Sequence, residues 1–230
     1  MNGPGTTPSG CFVTGTDTGI GKTHASCALL MALRARGLRA TGMKPVASGS
    51  RVTAEGLRNE DAEALIAASD PVPVYEDCNP LAFEPPIAPH LAALLAGRPI
   101  TLAPLLLARA RLAAGADRVV VEGVGGWAVP FSDTLDQADL VRALGLPVVL
   151  VVGLRLGCLN HALLSARAIL ADGCRLAGWI ANRIDPEMAL ADDNIATLRA
   201  RIDAPLLGIL PHAPLAASAP SARALDVAAL

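Results

Sequence analysis

The chain has 230 residues, 52% apolar and 3% aromatic, with a formal net charge of −2 at pH 7. That length suits one α/β domain, and that apolar content excludes a disordered chain. The slight acidity and the scarcity of aromatic rings exclude a basic nucleic-acid face and a base-stacking platform.

Residues 1–10, M-N-G-P-G-T-T-P-S-G, have neither the basic start nor the apolar core of a signal peptide. They read as a flexible tail ahead of a single domain over residues 11–230. The first predicted strand, Cys11–Thr14, runs into V-T-G-T-D-T-G-I-G-K-T, and a predicted helix, His24–Arg36, follows and stops at Gly37. Strand, glycine loop and helix in that order make a phosphate cradle. The glycines turn successive N–H groups inward, and the helix presents its positive end to the same point. Lys22 supplies a cation for the β- and γ-phosphates, and the Thr23 hydroxyl a ligand for Mg²⁺. Five residues separate Gly15 from Gly21, one more than the usual G-x4-G-K-[ST].

The second strand, Ala40–Met43, ends in G-M-K-P-V-A-S-G-S. Pro45 biases Lys44 toward an extended conformation at the strand end, facing what lies beyond the phosphates. Ser48 and Ser50 follow it. In G-L-R-N-E-D-A, Asp61 opens a predicted helix, Asp61–Ala68, either as its N-cap or as a ligand. Residues 45–60 and 70–90 are irregular and rich in Pro, Asn and Ser, and long irregular connections are usually functional. Helices are predicted over His90–Ala96 and Thr101–Ala114, the second closed by Gly115.

The third strand, Arg118–Val121, leads to R-V-V-V-E-G-V-G-G. Glu122 stands directly after it, where a Walker-B carboxylate holds Mg²⁺. Gly123, Gly125 and Gly126 permit close approach of backbone to a ligand. A helix over Asp136–Leu144 ends at Gly145. The strand Pro147–Val152 gives way to V-V-G-L-R-L-G-C-L-N-H-A, where Gly157, Cys158, Leu159 and Asn160 form a second anion-binding helix start. The helix Leu159–Ala171 then ends near Gly173. After the strand Ala177–Ala181, Asn182 offers an amide that matches an adenine edge. The helix Asp192–Ile202 and the strand Leu206–Leu210 complete the pattern; Pro211, His212 and Ala213 at the strand end can wall the base. The tail from Pro214 carries no assignment.

The strands are apolar without alternation, as in parallel sheets covered on both faces. The expected architecture is a P-loop NTPase α/β fold, a mostly parallel central sheet with helices on both faces. Its ligands belong outside the carboxyl ends of the strands. Five cysteines, Cys11, Cys27, Cys78, Cys158 and Cys174, lack C-x-x-C spacing and read as buried thiols of a cytoplasmic protein. No apolar run reaches the roughly 18 residues of a membrane span. The four histidines show no metal spacing.

Taken together, the blocks V-T-G-T-D-T-G-I-G-K-T, K-P-V-A-S-G-S, G-L-R-N-E-D-A, V-E-G-V-G-G-W, V-V-G-L-R-L-G-C-L-N-H-A, L-A-G-W-I-A-N and P-L-L-G-I-L-P resemble the dethiobiotin synthetase family from about residue 11 to 211. The long P-loop spacing is that family's own. The resemblance implies an ATP-dependent ligase of biotin biosynthesis. One amine of 7,8-diaminopelargonate takes up CO₂ as a carbamate, ATP converts the carbamate to a carbamic–phosphoric anhydride, and the second amine closes the ring. It further implies nucleotide contacts from Gly19, Ile20, Gly21, Lys22, Thr23, His24, Gly123, Gly125, Asn182, Arg183, Pro211, His212 and Ala213, and a Mg²⁺ site of Thr23, Asp61 and Glu122. Lys44 and Lys22 are the implied catalytic cations, and Thr18 and Ser48 contact the substrate head. The family is homodimeric, with Gly157–Asn160 of one subunit receiving the distal carboxylate in the other's site. Three departures stand out. Gly19 occupies a position often acidic, Arg155 replaces a common lysine, and Arg183 replaces a familiar aspartate.

Three other readings fit less well. A partitioning ATPase carries an extra lysine early in the P-loop, where this chain has Thr16. A cobyrinate-type amidotransferase requires a glutaminase domain. A plain nucleotide-binding module has no use for K-P-V-A-S-G-S.

Overall fold

A computed structural model of the chain describes residues 10–213, 221–228 and 230. The expected N-terminal tail, up to residue 9, and the start of the unassigned tail, 214–220, lie outside the described residues. In chain order the elements are β1 (Gly10–Gly15), α1 (Lys22–Ala35), β2 (Ala40–Met43), β3 (Val46–Ala47), β4 (Arg51–Thr53), β5 (Gly56–Arg58) and α2 (Glu60–Ala68). Then come α3 (Tyr75–Cys78), β6 (Leu81–Ala82), α4 (Pro89–Leu95), α5 (Leu102–Gly115), β7 (Arg118–Glu122) and α6 (Gln137–Leu144). Last are β8 (Val148–Gly153), α7 (Cys158–Ala171), β9 (Leu176–Asn182), α8 (Ala191–Arg199) and β10 (Leu206–Leu210).

Six strands form one parallel sheet in the order β10-β9-β8-β1-β7-β2. Alternate strand residues point to opposite faces, so each face has its own core. Phe12, Val121, Leu150 and Trp179 meet α5, α6, α7 and α8. Cys11, Val13, Val120 and Val151 meet α1 and α2 on the other side. The doubly covered, mostly parallel sheet expected from the continuous apolar runs is what forms. No helix among the described residues is long and apolar enough to cross a membrane.

Strand register sets the site. Val13 of β1 pairs with Glu122 of β7, and Met43 of β2 pairs with Val121. The phosphate loop, Lys44 and Glu122 therefore leave three neighbouring strands at one level. β1 leads to β2 on one side of it, while β8 leads to β9 on the other. That is the switch arrangement at which open α/β sheets bind ligands.

Two local expectations change. Asp61 is not the N-cap of α2. Asn59 is, its side chain accepting from Ala62 N at 3.3 Å, which puts Asp61 inside the first turn. Gly115 does not close α5 in the left-handed conformation; Ala116 follows with extended backbone. The irregular segments also hold order: β4 and β5 form a small antiparallel hairpin, and β3 pairs with β6.

Candidate functional site

The phosphate loop turns on Gly19 (φ 72°) and Gly21 (φ 82°). At Gly21 a side chain is excluded twice, because a Cβ would also stand 2.1 Å from Asn182 Nδ2. α1 begins immediately after, with no side-chain cap and no acid in its first turn. Its leading N–H groups are left for an anion. Lys22 is buried at the loop mouth and donates to the Asp17 carbonyl at 2.8 Å. Its ammonium is pushed down to about 8, first by burial and then by the charge of Lys44.

Thr23, Lys44, Asp61 and Glu122 converge beside it. Lys44 Nζ donates to Glu122 Oε1 at 2.6 Å, Asp61 Oδ2 at 2.9 Å and the Gly123 carbonyl at 3.2 Å. Thr23 Oγ1 lies 2.8 Å from Asp61 Oδ1 and 3.0 Å from Glu122 Oε1. Burial opposes the charge on Lys44, but Glu122 and Asp61 together outweigh it and raise its pKa. Burial likewise opposes ionisation of Asp61, and Lys44 with Thr23 overcomes it, so that its pKa falls.

The oxygen set fits a magnesium ion. A hydroxyl has one proton, so Thr23 cannot donate to both carboxylates at once. Glu122 Oε2 is fully buried with no hydrogen-bond partner. A buried carboxylate oxygen left bare is costly unless a cation meets it. Among the described residues no group of three or more His, Cys, Asp or Glu side chains is placed to hold a metal. One hydroxyl and two carboxylates, with the remaining positions left to water and phosphate, is the oxygen-rich and incomplete set that Mg²⁺ takes.

These residues line a cleft of about 830 Å³, within the range of small-molecule sites. Thr18, Gly19, Gly21, Ser48 and Gly125 line it too, facing a wall of residues 86–89 and 128–130. The Ser48 hydroxyl is buried without a partner. Gly123 stands behind the cleft. Its lack of a side chain serves packing, since a Cβ would fall 2.6 Å from Gln137 Oε1 and 2.9 Å from Phe12. At Gly126 a Cβ would stand 3.5 Å from the Gly15 carbonyl oxygen, an ordinary contact. Of these glycines Gly125 lines the cleft, while the bare backbone of Gly123 is required by packing.

Other expected site residues lie elsewhere. Ile20 is wholly buried, wedged against Gly15 and Gly153. His24 turns from the cleft, its Nε2 2.9 Å from Ser221 Oγ. Asn182 Nδ2 donates to the Ile20 carbonyl at 2.8 Å and ties β9 to the phosphate loop. Arg183 N donates to the Leu210 carbonyl, and His212 Nδ1 lies 3.2 Å from the Arg183 carbonyl. These two and Pro211 and Ala213 thus sit together at the ends of β9 and β10. Gly157 (φ 94°) opens α7 without a side-chain cap. None of Gly157, Cys158, Leu159 and Asn160 lines the cleft of this chain.

Two contributors escape sequence reasoning. The Asp17 carboxylate accepts Thr18 N at 2.7 Å and Arg155 NH2, so it braces the phosphate loop against the segment before α7. The Thr18 N–H chiefly, with Arg155, holds its pKa below the usual carboxylate range. Gln137 is fully buried, accepts from Val124 N at 2.8 Å and donates to the Gly126 carbonyl at 2.7 Å. It fixes the loop after Glu122. Asp17 stands in the P-loop string, but Arg155 is 138 residues away. Gln137 reads as an ordinary polar residue at a helix start.

Compared with known proteins, residues 9–219 match a family profile described as an AAA domain. The chain is 62% identical over 206 residues to the ATP-dependent dethiobiotin synthetase BioD of Xylella fastidiosa (strain 9a5c), covering 90% of this chain and 91% of that one. It is 59% identical over 220 residues to the protein of the same name from Xanthomonas oryzae pv. oryzae (strain PXO99A), covering 96% and 98%. Among solved structures, the MinC:MinD cell division protein complex of Aquifex aeolicus superposes with a TM-score of 0.54 over 93% of this chain and 91% of that one, at 14% identity. A ParA family ATPase from Chlorobium tepidum TLS gives 0.53 over 94% and 91%, also at 14% identity. Those likenesses establish a shared P-loop fold and no more. The sequence identities go further: this chain belongs to the ATP-dependent dethiobiotin synthetase family.

Proposed function

We propose that the cleft closes the ureido ring of dethiobiotin from 7,8-diaminopelargonate, CO₂ and ATP. The observation that carries this reading is the convergence of Lys44, Thr23, Asp61 and Glu122 at the mouth of the phosphate loop. One amine adds to CO₂ and loses a proton, giving a carbamate. A carbamate oxygen displaces ADP from the γ-phosphorus, and the second amine then attacks the carbonyl carbon and expels phosphate.

The difficulty is bringing two anions together, carbamate and γ-phosphoryl. Clustered cations and fixed N–H donors meet it. Lys22 and the uncapped start of α1 hold the phosphates. Lys44 stabilises the carbamate and the charge that develops as it attacks. Thr23, Asp61 and Glu122 would hold Mg²⁺, which when bound draws charge from the phosphoryl oxygens as a Lewis acid. The same two carboxylates bind Lys44 in this structure, so Asp61 and Glu122 would be shared between that ammonium and the ion. Thr18 and the unpartnered Ser48 hydroxyl take the substrate head. The carboxamide of Asn182, with Arg183 and residues 211–213, forms the adenine end.

The exposed start of α7 serves the neighbouring subunit. Gly157–Asn160 receives the far carboxylate of a substrate whose diamine lies in the partner's cleft, in a symmetric homodimer. The five thiols are free and buried, as suits a reducing cytoplasm.

The test is phosphate release measured with ATP and Mg²⁺. It should require both diaminopelargonate and bicarbonate, and yield dethiobiotin. ATP hydrolysis at the same rate without the diamine would sink the reading.

A further inference from the structure

Lys44 and Asp61 meet in the cleft, yet the chain between them runs through the hairpin β4–β5. A second link joins them from behind. Asn59 N donates to Tyr75 Oη at 2.7 Å. Tyr75 Oη donates to Asn79 Oδ1 at 3.0 Å, and Asn79 Nδ2 donates to the Lys44 carbonyl at 2.7 Å. The direction of each bond is fixed. The amide of Asn59 can only donate and the carbonyl of Lys44 only accept, so Asn79 must present its oxygen to the phenol. The return path is short as well, since Lys44 N donates to the Cys78 carbonyl at 2.7 Å.

Asn59 is the N-cap that orients the first turn of α2, where Asp61 sits. Asn59 and Asn79 are both buried. The Arg58 guanidinium lies over the Tyr75 ring, 4.1 Å from its centroid, and fixes the ring plane. Burial raises the pKa of the phenol, so it keeps the proton this relay needs.

We propose that Tyr75, the only tyrosine of the chain, is a positioning residue for the reaction: through Asn59 and Asn79 its hydroxyl sets the spacing of Asp61 and Lys44. It is not among the residues that line the cleft. The inference rests on the reading of Lys44 and Asp61 as working groups of the cleft. A relay of buried and part-buried hydrogen bonds between buried Asn59 and Asn79 holds its ends closely. Slack at either end displaces a metal-binding oxygen or the ammonium by fractions of an ångström, and reacting groups are sensitive to such shifts.

Tyr75→Phe keeps the ring and its Arg58 contact and deletes the relay's central oxygen. Asn79→Ala cuts the relay at the next joint and leaves the ring alone. Each should lower kcat about tenfold and raise the Mg²⁺ concentration for half-maximal rate severalfold. The KM for ATP, set by the phosphate loop, should stay within about twofold. The double variant should be no slower than the slower single, because both cut one chain of contacts. Folding is followed by thermal melting of the same samples. A lowered Tm with kcat and Mg²⁺ dependence within about twofold of the parent in either folded variant overturns the proposal. Lys44→Ala, run alongside, separates the two ideas. If it stays active, the reading of the cleft fails; if it is inactive while Tyr75→Phe turns over normally, only the relay fails.

Discussion

The cleft at the ends of β1, β2 and β7 and the start of α7 both hold an uncapped helix N-terminus, but only that of α1 opens into the cleft. In the cleft, Lys44 and Glu122 have side chains 4% and 0% exposed, and Lys44 is paired with both Glu122 and Asp61. At α7, Leu156 is 96% exposed, and Gly157–Asn160 are not among the residues that line the cleft. Matched charges arranged before ligand arrives suit a place where charge develops during reaction, because no reorganisation is then required. An uncapped, exposed helix start suits a carboxylate delivered from outside. On the proposed reading, the difference assigns the chemistry to one subunit's cleft and the far carboxylate to its partner's α7.

The largest effect should come from breaking the matched end. Among the described residues Lys44 is the side-chain cation bonded to both carboxylates, and Lys44→Ala should lower kcat by about 10² or more. The same change leaves Glu122 buried without its partner, which costs on the order of 3 kcal/mol. The melting temperature should therefore drop, and Mg²⁺ should restore part of it by meeting the same oxygens. Turnover near that of the parent protein would remove Lys44 from the chemistry. Glu122→Gln is the next step down. It keeps the shape and halves the anionic charge of the pair, so the Mg²⁺ concentration for half-maximal rate should rise about tenfold or more while the fold holds. Unchanged Mg²⁺ dependence would exclude Glu122 as a ligand.

A smaller effect is expected at the other region. Asn160→Ala, and more strongly Leu159→Pro, should raise the KM for diaminopelargonate about tenfold with ATP binding nearly intact. Sedimentation should show a dimer whose interface buries more than roughly 1,000 Å². A fully active monomer in dilute solution would refute the shared site. Equal losses for ATP and diamine would show that α7 only supports the fold.

The contrast also marks what the sequence made legible. Elements whose signal is local were readable: β2 and β10 fall on their predicted residues, and the phosphate loop, Lys44 and Glu122 follow from strand ends. Asp61 was ambiguous because an acid at a helix start serves capping and metal binding equally well. The structure gives the capping role to Asn59, two residues earlier. Long-range partners were not readable. Nothing near Asp17 points to Arg155, and Gln137 owes its buried role to the loop that folds over it. Asn182 was read for its amide and an adenine edge; the hydrogen bond it makes to Ile20 depends on the pairing of β9 with β8, which no local pattern specifies.

At neutral pH the smallest expected effect comes from the cleft's electrostatics, read first from pH alone. Lys22 shares its surroundings with Lys44 and is buried, so its proton is held only up to a pH of about 8. Below that pH the ammonium is charged and attracts phosphate; above it the neutral amine does not. The kcat/KM for ATP reports ionisations of the enzyme before ATP binds. At saturating diamine it should be level below pH 8, about half its plateau near pH 8, and fall about tenfold per unit beyond. The value of kcat should fall later, because bound phosphates favour the charged lysine and raise its pKa. The diamine's own amines gain nucleophilicity as pH rises, so its kcat/KM climbs over the same interval and the two profiles separate. Lys22→Arg keeps a charge that does not titrate in this range. It should lower the plateau, since a planar fork replaces a point charge in a fitted loop, and it should erase the limb near 8. A limb that persists in Lys22→Arg belongs to another group, and a level profile to pH 9.5 in the parent protein would show that the loop holds its lysine charged throughout.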